Sequence, residues 1–140
     1  MKIEANTIEE FFENSGEYEE ALRFLDRIIM KKMPVIDRKL YFSEKSTTIG
    51  YGEIPYHTKD YPTVPILAIA PQKSNISIYS MAWMGDKSLV EIYSDRLGKV
   101  SCGKGCVRVK KLEGLDLETF DLFLEDIYKV YQSTEKNSVI

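Results

Sequence analysis

PILAIAPQKSNISIYS, Pro65 to Ser80, is where the architecture of this chain is settled. The run from Pro65 to Ala70 is continuously apolar, too short for a typical helix and bounded by prolines, as in an inner strand covered on both faces. Pro71 to Ser74 make a turn. From Asn75 to Met81, Ile76 and Ile78 alternate with Ser77 and Tyr79, so the chain returns as the second arm of a hairpin. Upstream, Ile36, Leu40 and Phe42 alternate with polar positions as a strand with one buried face, and a further strand is expected near Thr48 to Tyr51. A long loop should follow it, given Gly52, Pro55, Pro62 and the polar run from His57 to Asp60. Downstream, the stretch LGKVSCGKGCVRVKK, Leu97 to Lys111, reads as a strand, a Gly-Lys-Gly turn and a returning strand, with Val107 and Val109 alternating against Arg108 and Lys110.

Helices flank these strands. Thr7 and Glu10 have capping-box spacing for a short helix from Ile8 to Asn14, ended by Ser15 and Gly16. Tyr18, Ala21, Leu22, Leu25, Ile28, Ile29 and Met33 then share one face of a second helix, which Pro34 stops. Asp86 is placed to cap a third helix whose Leu89, Ile92, Tyr93 and Leu97 form a stripe, with Gly98 ending it in a left-handed conformation. Leu115 and Asp116 read as staple and N-cap of a last helix that turns Phe120, Phe123, Leu124, Ile127, Val130 and Tyr131 inward. The pattern predicts an α+β fold: a mainly antiparallel sheet of about five or six strands with N-terminal and C-terminal helices packed on it. One domain over residues 1–132 and a flexible tail over 133–140 are expected.

The 140 residues hold 44% hydrophobic side chains, enough for one core, and 19 basic against 22 acidic residues leave a net charge of -3. That balance argues against nucleic acid or an anionic membrane as partner, since both require a dominant positive field. No apolar run nears the ~20 residues that cross a bilayer, and the first residues are acidic, so the expected location is cytoplasmic. Cys102 and Cys106 are then reduced and structural.

Four groups of residues bear chemistry. Gly103-Lys104-Gly105 can form an amide nest with an ammonium group around an anion, or a tight turn with glycine at positive φ. Lys99, Arg108, Lys110 and Lys111 add positive charge nearby, alternation placing Arg108 and Lys110 on the solvated face. Tyr51, Tyr56, Tyr79 and Trp83, with Lys104, are candidates for the wall of a small-ligand cleft. If Cys102 and Cys106 pair across the turn they make a thiol pair; with His57 they supply only part of a zinc ligand set, and His57 alone supports no catalytic triad. Seven glutamates lie in the first twenty residues, and among them Glu9, Glu10, Glu13, Glu17 and Glu20 are either a solvated acidic helix face or ligands for a hard cation.

Tyr51-Gly52 ahead of Pro55-Tyr56, LAIAPQKSNISIY from Leu67 to Tyr79, Leu97-Gly98-Lys99, and the Gly103-Lys104-Gly105-Cys106 turn with its following helix occur in this order. Together they resemble the YdhG-like domain family, over roughly residues 20 to 130, with a longer insertion here around His57 to Val64. The resemblance implies a small binding domain; some members look like frataxin counterparts and are described as iron chaperones. It therefore implies transient ferrous iron as cargo, iron-acceptor proteins as partners, and a monomer or homodimer. The alternative is a small-ligand or anion-binding protein, a binding module or an enzyme, that uses the Gly-Lys-Gly turn and the nearby aromatics.

Overall fold

The computed structural model describes residues 1–56 and 63–138, with side chains up to Thr134. His57 and the polar residues after it, to position 62, fall outside the described residues. The chain forms helices α1 (Ile8–Glu13), α2 (Glu19–Lys32), α3 (Leu89–Tyr93) and α4 (Leu117–Ser138), and strands β1 (Arg38–Phe42), β2 (Thr47–Pro55), β3 (Thr63–Pro71), β4 (Ile76–Ser80), β5 (Trp83–Met84), β6 (Lys87–Ser88), β7 (Ser101–Cys102) and β8 (Cys106–Val109). Six strands make one antiparallel sheet in the order β1-β2-β3-β4-β8-β7, while β5 and β6 pair as a separate ribbon. The fold is α+β, as expected.

Caps set the helix starts. The Thr7 hydroxyl accepts from Glu10 N–H at 3.1 Å, and Asp116 Oδ1 accepts from Thr119 N–H at 3.0 Å. Each satisfies a donor that the first helical turn leaves without a partner. Asp86 does not cap α3. It lies in the β5–β6 turn, and Ser88 takes that place, its side chain accepting from Glu91 N–H. The last helix also continues to Ser138, beyond the expected end near Tyr131.

Apolar burial holds the helices to one face of the sheet. Leu22, Leu25 and Ile29 of α2 and Phe120, Phe123, Leu124 and Ile127 of α4 meet Ile49, Tyr51, Leu67, Ile69, Ile78 and Val107 in a single core, to which α1 adds Phe11 and Phe12. Fully burying one such side chain contributes about 1.5–3 kcal/mol. The run Ile66 to Ala70 is buried throughout and β3 is internal, as its sequence demands. Its cover differs from the expected two layers of structure: Ala68 and Ala70 lie outside the core cluster, where their short side chains need no helix above them to be shielded. Phe42, expected inside, is 57% exposed near the sheet edge. The register carries one row across the opposite face: Gly50, Ala68, Tyr79 and Cys106. A second row joins Ala70, Ser77, Arg108 and Ser101. This open face positions the candidate site.

Candidate functional site

The residues predicted to line one cleft are spread over the molecule. Tyr51 is fully buried on the helical side, where its hydroxyl donates to Asp26 Oδ1 at 2.7 Å and the Arg38 guanidinium pairs with the other carboxylate oxygen. Burial and the Asp26 charge hold the Tyr51 phenol well above its usual range. It is a core residue with a polar anchor. Tyr79 belongs to the opposite face and is half-buried, its hydroxyl accepting from Gln72 Nε2 at 3.0 Å. Trp83 stands 48% exposed on the β5–β6 ribbon. Tyr56 is half-buried just beyond β2. Lys104 borders an open cleft with Lys87, Glu91, Ser94, Cys102 and Gly103, and no aromatic shares it.

The Gly-Lys-Gly turn has a plainer geometry than its composition suggests. Gly103 N–H donates to Cys106 O at 2.9 Å, and Ser80 N–H donates to Gly105 O at 2.9 Å, stitching the turn to β4. None of Gly103, Lys104 and Gly105 has positive φ. An amide nest needs the alternation of right- and left-handed residues, so this turn lacks the backbone for one. A Cβ on either glycine would meet only ordinary contacts, at 3.7 Å from Cys106 Sγ for Gly103 and 3.4 Å from Ser80 O for Gly105.

The register also separates the cysteines. Cys102 lies opposite Val107, not opposite Cys106, and a slip of one residue exchanges faces. Cys102 therefore packs against the core while Cys106 shares the open face with Tyr79. Both are free, and burial raises the Cys102 thiol above its ordinary pKa. Among the described residues, no three His, Cys, Asp or Glu side chains form a group able to hold a metal ion. Of the predicted carboxylates, Glu9 is engaged by Arg23 at 2.6 Å, which lowers its pKa, and Glu10 faces the Asn6 N–H at 3.4 Å. Glu13, Glu17 and Glu20 are exposed.

What the fold does bring together is cationic. On the open face, strand pairing sets Arg108 between Ser77 of β4 and Ser101 of β7. Lys110 follows Arg108 by two residues and so continues on the same side. Lys99, Arg108 and Lys110, with Asn75, Val100 and Ser101, line a cleft of about 460 Å³, and no carboxylate contributes to it. Among the described residues none of these three cations has an ion-pair partner, and all three are exposed. A wider cleft of about 1080 Å³ adjoins it and shares Lys99 and Lys110, but there Glu113, Asp116 and Glu118 balance the lysines. Three positive charges around a concave surface that no carboxylate lines attract an anion; arginine offers paired N–H donors, lysine a point charge, and Ser101 and Asn75 further donors. The alternation at Arg108 and Lys110 was visible in the sequence. Lys99 was grouped with them there as nearby positive charge; that Asn75 joins them was not visible, because it depends on how β4 flanks β8.

No family model, curated protein or solved structure matches this chain. No described helix is long and apolar enough to cross a membrane.

Proposed function

We propose that the protein is a binding module for a small anion, taken up by Lys99, Arg108 and Lys110 at the β4–β8–β7 corner of the open face. The supporting observation is the 460 Å³ cleft lined by three cations and no acid. Its volume lies in the range of small-molecule sites, roughly 300–1,000 Å³. This reading retains the anion-binding alternative of the sequence but moves the site from Gly103-Lys104-Gly105 to the neighbouring open face. Iron delivery, which the YdhG-like resemblance implies, draws less support, because the exposed glutamates supply charge without a gathered donor set.

Calorimetry with inorganic phosphate at low salt tests the proposal. The parent chain should show saturable binding that weakens as salt is added, and the Lys99→Gln, Arg108→Gln, Lys110→Gln variant should bind at least roughly tenfold more weakly with its fold retained. Replacing Glu9, Glu13 and Glu17 by glutamine should leave phosphate affinity unchanged within about twofold. No binding by the parent, or equal binding by the lysine and arginine variant, would remove the reading.

A further inference from the structure

Resting on that anion-binding reading, we infer that the bound anion is the phosphate of a mononucleotide whose base stacks on Tyr79. Tyr79 and Arg108 share the open face: Tyr79 lies opposite Cys106 and Ser77 opposite Arg108, which makes Tyr79 and Arg108 diagonal neighbours across β4 and β8. Diagonal side chains on one sheet face are roughly 7–8 Å apart at the backbone, within reach of long and aromatic groups. A base on the Tyr79 ring and its 5′-phosphate at Arg108 fit that separation. The bond from Gln72 Nε2 to the Tyr79 hydroxyl fixes the ring's direction. Its cross-strand neighbours, Ala68 and Cys106, are short, and among the described residues no other ring packs against it. An aromatic surface beside arginine on an open sheet face is the chemistry that holds a planar base and its phosphate together. An aliphatic phosphate would leave Tyr79 without a role. A nucleic-acid strand requires a longer basic track than this corner provides, and the chain as a whole is net acidic.

The experiment compares inorganic phosphate, ribose 5-phosphate, adenosine and adenosine 5′-monophosphate by calorimetry against the parent chain, Tyr79→Leu and Tyr79→Phe. Stacking of one base strengthens binding by roughly 5- to 150-fold. Adenosine monophosphate should therefore bind more tightly than ribose 5-phosphate by a factor in that range. Tyr79→Leu should erase the advantage while leaving ribose 5-phosphate affinity in place, which also shows that the fold has survived. Tyr79→Phe keeps the ring and should keep most of the advantage. Equal affinity for the two phosphates, or an advantage that persists in Tyr79→Leu, overturns the nucleotide inference and leaves the anion reading standing. Failure of all four compounds overturns both. A single-stranded oligonucleotide that outcompetes the mononucleotide at equal concentration overturns the choice of ligand class.

Discussion

Asp26 is 9% exposed on the inner side of α2, and it is tolerated there because Tyr51 and Arg38 both reach it. A buried carboxylate without partners would be far costlier than the two bonds it makes here. Tyr51→Phe removes one of them without opening a cavity of any size. Urea unfolding should then report a loss of roughly 1.5–3 kcal/mol, the usual worth of a hydrogen bond to a charged group. Alkaline pH probes a second tyrosine. Burial, reinforced by the bond to Asp126 at 2.5 Å, raises the Tyr93 phenol to about 12 from an ordinary 10.0. A raised folded-state pKa means that the stabilisation is complete below pH 10 and is lost as pH climbs from there through about 12. Tyr93→Phe should flatten that part of the stability curve, and a variant whose alkaline unfolding coincides with the parent's would contradict this. Tyr51 shifts in the same direction, so some alkaline loss persists in the variant.

Connections between elements separate essential glycines from incidental ones. Gly98 has φ +99, and a Cβ there would run into the carbonyl oxygen of Gly114. The close approach lets Lys99 N–H donate to Gly114 O at 2.7 Å and Asp116 N–H to Leu97 O at 2.9 Å, tying the segment after α3 to the start of α4. Gly98→Ala should be among the most destabilising single substitutions, through both the left-handed backbone and the clash. Gly103→Ala should change stability by less than about 0.5 kcal/mol, since nothing there requires glycine. Paired thermal melts of the two variants decide the point, and similar melting temperatures would contradict it. Much at this scale was legible: the hairpin of β3 and β4, the caps at Thr7 and Asp116 and the positive φ of Gly98 all follow from local chemistry, although α3 ends at Tyr93 and not, as expected, at Gly98. The β5–β6 ribbon was not, because two-residue strands carry no measurable alternation, and Asp86 is as suitable for a turn as for a cap. Nor was the pairing of Cys102 with Val107, since register is a property of two strands together.

Across the whole molecule, one-sided packing explains why the site is where it is. The helices claim one face of the sheet, and the other is left with small residues, Tyr41 over Gly50, Tyr79 and a cationic corner. The sequence grouped Lys99 with Arg108 and Lys110 and carried the alternation that exposes the latter two, but strand order decides that Ser101 and Asn75 stand beside them. The same order separates Tyr51 from Tyr79 by a full sheet thickness, although both belong to neighbouring motifs. A net charge of -3 conceals this corner, because composition sums charges that the fold keeps apart. Amide chemical-shift mapping of the full chain during titration with inorganic phosphate measures the location directly. Saturable shifts concentrated at Lys99, Ser101, Arg108 and Lys110, and abolished in the variant with glutamine at 99, 108 and 110, are the predicted result; shifts centred on Gly103 to Gly105, or scattered over the surface and unchanged in that variant, would contradict it.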